Sequence, residues 1–204
     1  MPSVSVTTSY NRSINDLTIL TNYINDISSL EAKYQYMIGE VVMLRLFAIF
    51  ETAASEIALK LACGATYRNG NNPVVHSPCR SINDAYTKML SLNRGGRPFR
   101  FLKWTKANYI KDGIEHVLDT TDKFYTNIQN HSNIINEMRV VRNHIAHRNK
   151  STAQSFNVEL RKIYGANPRL TMGAFLVSTT RHTPSNIQRY AQIMPIILND
   201  ISNG

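Results

Sequence analysis

The chain has 204 residues, 43% of them apolar and only 18% charged, and a formal net charge of +9. That length and apolar content suit one domain whose core needs no disulfide support, and two cysteines, Cys63 and Cys79, make no disulfide framework. No run approaches the ~20 apolar residues of a membrane span, and the opening Met1-Pro-Ser-Val-Ser-Val-Thr-Thr lacks the basic and apolar segments of a secretory leader, which predicts a cytoplasmic protein with no membrane partner.

In chain order, Ile14, Leu17, Leu20, Ile24 and Ile27 recur at three- and four-residue intervals and predict a first helix over 13–30, leaving 1–12 as a flexible N-terminus. A longer second helix covers 34–63 and is closed by Gly64. Its middle, Val41 to Phe50, is apolar almost all round, as expected of a central buried helix. Residues 64–80 read as an exposed loop. Ser81-Ile-Asn-Asp84 resembles a capping box, with Asp for the usual Glu, opening a short helix to Leu92.

A Gly- and Pro-punctuated connection over 94–105 leads to helical spacing over 106–117 and again over 119–150, the latter broken near 130–132. A helix over 155–164 ends at Gly165, and 170–180 is a strand or an ordered loop. Pro184 opens a last helix through 201, which Pro195 should kink or end early. The expected fold class is all-α, a helical bundle with a long central helix forming one domain over 13–204.

The positive charge is unevenly placed: residues 1–60 carry a balance of −2 and residues 61–204 one of +11. A field of that sign suits an anionic polymer or a phosphate ligand. The informative stretch is 133–150, where Ile134, Met138, Val141 and Ile145 form the core stripe at helical spacing. Arg139, Arg142, Asn143, Ala146, His147 and Lys150 fall on the opposite face, and Ile135 lies near it as an apolar contact. No carboxylate shares that face to pair with its cations, and the nearby Glu137 points elsewhere, whereas an ordinary solvated helix tends to alternate signs.

Arg142-Asn143-His144-Ile145-Ala146-His147 resembles the signature of the HEPN superfamily, an Arg followed after four to six residues by His. The surrounding Met-Arg-x-x-Arg-Asn-His-Ile-Ala-His-Arg-Asn is similar to its ribonuclease branches, the RiboL-PSP-like group among them. Arg139 to His144 repeats the bare Arg-x4-His spacing, so the hexamer within a basic, all-helical chain carries the resemblance. It implies a HEPN-like bundle that forms a homodimer, with the motif helices of two protomers facing each other across one composite cleft. It also implies metal-independent RNA cleavage with no cofactor, in enzymes that serve as toxins or in defence and stress responses, with a cognate antitoxin or regulatory protein as a further partner.

Carried over by position, Arg142 and His147 are the catalytic pair and Asn143 is the polar follower. Residue chemistry agrees. Imidazole exchanges protons near neutrality, and a guanidinium grips phosphate with two parallel hydrogen bonds. Together they suffice for attack of a ribose 2′-OH on the adjacent phosphate, a path closed to DNA.

Arg139 and Lys150 extend the stripe as RNA-binding residues. Arg94, Arg97, Arg100, Lys103 and Lys106 recur every third residue among Phe99, Phe101, Trp104 and Tyr109, with no acid over 94–111. Cations to follow a backbone and rings to stack bases are what single-stranded RNA binding asks for, so Arg97, Arg100 and Lys103 are RNA-binding candidates. Against this, the rings can simply anchor the loop to the core. Glu51, an acid on an otherwise apolar helix side, reads as ordinary partial exposure or else as an acidic partner for Arg142 or Arg139. Cys63, His76 and Cys79 match no metal-ligand spacing, so no metal is expected. A catalytically silent HEPN-type module that binds nucleotide, RNA or a partner protein is the alternative reading. A helical DNA-binding protein ranks below it, for want of helix-turn-helix spacing.

Overall fold

The computed structural model describes residues 5–90, 101–166, 168–181 and 183–204, and the regular elements among them are helices. They are α1 (Val6–Asp26), α2 (Ala32–Ala62), α3 (Ile82–Leu90), α4 (Ala107–Ile114), α5 (Lys123–Asn130), α6 (Ser132–His147), α7 (Lys150–Tyr164), α8 (Met172–Val177) and α9 (Asn186–Asn203), with one 3-10 turn at Ile27–Ser29. Sheet is limited, among the described residues, to one isolated bridge between Val75 and Leu118. The all-α expectation holds. No helix among these residues is long and apolar enough to cross a membrane. The chain divides into two compact units, one of Met1–Ile14, Phe50–Asn136 and Ile196–Gly204, the other of Asn15–Ile49 and Glu137–Pro195.

In the first unit, the C-terminal half of α2 buries Phe50, Ala53, Ala54, Ile57, Ala58 and Leu61 completely. Gly64 follows at φ +85°, the left-handed conformation that glycine takes without penalty. The first helix starts at Val6, not at residue 13, so 6–12 are helical where a flexible terminus was expected. Polar contacts hold that early turn. The Ser9 hydroxyl donates to Glu56 at 2.6 Å, Lys60 Nζ donates to Ser9 Oγ at 2.8 Å and to the Ser5 carbonyl at 2.9 Å, and Arg12 pairs with Glu56. Hydrophobic spacing cannot register a helix seated through serines.

The 64–80 segment is a loop, but Tyr67 within it is buried. Its hydroxyl donates to Asp122 Oδ1 at 2.5 Å and accepts from the Phe124 amide at 2.9 Å, while Asp122 Oδ2 takes the Val74 amide at 2.8 Å. This satisfied polar node joins the loop to the N-cap of α5. At α3, Ser81 Oγ accepts from the Asp84 amide at 3.1 Å and Asp84 Oδ2 accepts from the Arg80 amide at 2.8 Å. The shorter Asp side chain reaches back to the residue before the cap, and that amide lowers the Asp84 pKa.

In the second unit, α2 is buried on one side rather than all round. Val42, Met43, Leu46 and Phe47 are buried, whereas Val41 is 54% exposed and Arg45 and Ala48 face outward. Within 170–180, where a strand or an ordered loop was expected, Met172–Val177 form a helix, α8: Thr171 caps it by accepting from the Ala174 amide, and Phe175 and Leu176 are fully buried. Gly173 lets α8 lie directly on α2, since a Cβ there would sit 2.3 Å from Tyr36 Cβ. Phe175 meets Phe156 of α7 edge-on at 5.2 Å, and the buried Asn186 of α9 donates to the Phe175 carbonyl at 2.8 Å. Helix α9 runs through Pro195 to Asn203 instead of ending early. Complete burial of Met194, Ile197, Leu198 and Ile201 holds it across the missing N–H.

Candidate functional site

The site is built on α6. It begins just after His131, the C-cap of α5, whose Nε2 lies 2.7 Å from Asp200, so the expected break at 130–132 is a cap between two helices. The core face of α6 is Ile135, Met138, Val141 and Ile145, at most 8% exposed. Ile134, expected in that stripe, is only half-buried, and Ile135, expected near the opposite face, is fully buried and unavailable as a surface contact. The two isoleucines are adjacent, and the neighbouring core takes the second. The acid of α6, Glu137, accepts from Tyr190 at 2.6 Å and from Arg189, both on α9, so it does point away from the basic face.

On that face Arg139, Arg142 and Asn143 are half-buried, and Ala146 and His147 are exposed. Arg142 donates from Nη1 to Asn143 Oδ1 at 3.0 Å, and its guanidinium carbon lies 5.9 Å from the centre of the Phe47 ring. Five residues separate Arg142 from His147, which places them about 140° apart around the helix and ~7.5 Å apart along it. One α6 therefore presents the two groups on divergent bearings, with the small Ala146 between them.

Helix α6 stops at His147. Arg148 takes φ +41°, its amide donates to the His144 carbonyl at 3.0 Å, and its side chain pairs with Glu40. Asn149 then caps α7: its Oδ1 accepts from the Thr152 amide at 3.0 Å and its own amide donates to Thr152 Oγ1 at 3.2 Å. Lys150 is thus the first residue of α7 and not a continuation of the α6 stripe, as a straight helix through 150 would have it. Helix α7 also starts five residues before the expected 155.

His144, given no role in the sequence reading, is placed with care. Its ring stacks on Phe156 at 5.3 Å and 24°, and its Nδ1 lies 3.1 Å from Thr152 Oγ1. The Thr152 hydroxyl also donates to the Asn149 carbonyl at 3.0 Å. Burial, followed by the nearby Arg148 cation, lowers the His144 pKa. Arg139, Asn143 and Val140 of α6 and Ser151, Thr152 and Ser155 of α7 line a cavity of about 150 Å³. Arg139 Nε is buried without a hydrogen-bond partner. The cleft was missed because it depends on the turn at Arg148. The available signal was the Asn149-x-x-Thr152 spacing, a capping box with Thr at its third helical position.

Of the remaining candidates, Lys103 is exposed, with its ammonium 5.6 Å from the Phe101 ring and 5.3 Å from the Tyr109 ring. Arg94, Arg97 and Arg100 lie outside the described residues. Phe101 is 56% exposed while Trp104 and Tyr109 are half-buried, so the rings divide between surface and anchor. Glu51 is half-buried on α2. Cys63 is half-buried and Cys79 buried, with both thiol pKa values raised by burial, and His76 Nε2 lies 2.8 Å from the Glu115 carbonyl. Among the described residues no three His, Cys, Asp or Glu side chains form a metal-holding group. No family model matches the chain, and no curated protein or solved structure matches it.

Proposed function

We propose that this protein is a metal-independent RNA endonuclease of the HEPN type, acting as a cytoplasmic homodimer in a toxin, defence or stress-response role. One observation carries the reading. Arg142, Asn143 and His147 occupy the C-terminal turns of α6, whose one acid is engaged by Arg189 and Tyr190 on the other side. A guanidinium that cannot deprotonate and an exposed imidazole are the two groups that 2′-OH attack requires. Their divergence around α6 favours a site completed by a second α6, which Ala146 leaves room to approach.

In such a site one His147 takes the proton of the ribose 2′-OH as the 2′-oxygen bonds to phosphorus. The other, protonated, gives its proton to the 5′-oxygen as the P–O5′ bond breaks. Arg142, oriented by Asn143, stabilises charge on the non-bridging oxygens. The products are a 2′,3′-cyclic phosphate and a 5′-hydroxyl, and atoms and protons balance without another reactant. Incubating the purified protein with mixed RNAs in excess chelator tests this: new 2′,3′-cyclic phosphate ends are expected. Intact RNA across several substrate classes, with folded dimer verified, would favour the silent binding module instead.

A further inference from the structure

We infer that the cleft between α6 and α7 is a phosphate subsite, which seats a phosphodiester of the RNA strand beside the one that is cut. The donor inventory of the cleft leads there. Asn143 Oδ1 is committed to Arg142, which leaves its two Nδ2 hydrogens as the free polar function of that amide. The Thr152 hydroxyl is saturated by Asn149 and His144, and Ser155 Oγ donates to the Ser151 carbonyl at 3.1 Å. What remains to meet a ligand is the Arg139 guanidinium, the Asn143 amide hydrogens and the Ser151 hydroxyl.

No carboxylate lines the cleft, and the acids of the two helices are engaged elsewhere, Glu137 by α9 and Glu159 by Lys162 at 2.9 Å. A concave site of donors with one fixed positive charge and no acid selects a small, acceptor-rich anion. Size narrows the class further. At about 150 Å³ the cavity is well below the ≈300–1,000 Å³ of pockets that enclose a whole drug-sized ligand, so it takes a phosphate group and leaves sugar and base outside. The His144–Thr152 contact and the stack on Phe156 hold the α6–α7 corner that shapes it.

The inference rests on the ribonuclease reading for the identity of the strand, while the phosphate chemistry comes from the cleft. The test uses the full chain and two probes. Inorganic phosphate is titrated while amide NMR signals are followed, and an uncleavable 2′-O-methyl hexaribonucleotide is bound over a range of salt. Wild type is compared with Arg139→Met and Ser151→Val, each checked for a native thermal transition. Phosphate should shift the Ser151 and Ser155 amides in wild type and not in Arg139→Met. Arg139→Met should weaken hexamer binding about tenfold and lower the log–log salt slope by about 0.7. Ser151→Val should weaken it less, at unchanged slope. If Arg139→Met does not fold, a wild-type titration that leaves the Ser151 and Ser155 amides unmoved, or hexamer binding that Ser151→Val leaves unaltered, overturns the subsite. So does an unchanged salt slope in folded Arg139→Met. RNA that is never cut, with phosphate still bound through Arg139, would sink the nuclease reading and leave the subsite standing.

Discussion

Arg142 donates a hydrogen bond to the side-chain oxygen of its chain neighbour Asn143, at 3.0 Å. Consecutive residues point about 100° apart on a helix, so this contact turns the guanidinium toward Asn143, which itself lines the α6–α7 cleft. Asn143→Ala should free the guanidinium and lower turnover by about tenfold, the scale of a hydrogen bond to a charged group. Stability should change by less than about 1 kcal/mol at this half-buried position. Single-turnover kinetics beside a thermal melt measures both, and unchanged turnover would remove Asn143 from the site.

His144 makes stability depend on pH. Burial, with Arg148 second and opposed by Glu40, holds its pKa below the ordinary 6.5. The unfolded chain therefore takes up this proton first as pH falls. The contribution is fully present above about 6.5 and is lost as pH drops through the folded value. His144→Gln should accordingly show a smaller fall in melting temperature than wild type between pH 7.5 and 5. Parallel pH profiles for the two proteins would mean that His144 is not the group titrating.

Ile135 and Ala146 should separate folding from association. Ile135 is fully buried, so Ile135→Ala should cost about 2–5 kcal/mol of stability at any protein concentration. Ala146 is exposed at the centre of the basic face. Ala146→Arg should leave the melt of the monomer nearly unchanged, yet yield monomers by analytical ultracentrifugation and lose activity with them. A fully dimeric, active Ala146→Arg protein would move the interface off this face.

Gly173 tests the seat of α8 on α2. A methyl there would meet Tyr36 Cβ at 2.3 Å and Cα at 2.8 Å, so Gly173→Ala should destabilise by about 1–3 kcal/mol. Tyr36→Ala should not rescue it, because the obstacle is the Cβ and backbone that alanine keeps. Denaturant melts of the single and double variants check this, and full rescue would show that the ring was the obstacle.

Which features were legible in the sequence follows from what each helix is made of. The course of α2, the break at His131 and the stop at Gly165 all follow from apolar spacing and cap residues. The early turns of α1 were not legible, because Ser9 and Ser13 are buried through hydrogen bonds rather than as part of an apolar stripe. Helix α8 spans six residues, too few for helical and strand patterns to differ. At the site, Arg142, Asn143 and His147 were legible as a motif on one helix. The corner was not, because Arg148 takes a positive φ that neither Gly nor Pro announces. Lys150 moved to the next helix with that turn, and the cleft containing Arg139 and Ser151 came into being there.

Cleavage of a single RNA substrate by wild type and by His147→Ala, at saturating RNA and in excess chelator, tests the central claim most directly. Wild type should cut and leave 2′,3′-cyclic phosphate ends. His147→Ala should bind the RNA with nearly unchanged affinity and cut it roughly 10²–10⁴-fold more slowly, the loss expected when acid–base help is removed. Equal rates for the two proteins, or wild-type products ending in a 3′-hydroxyl, would contradict the account.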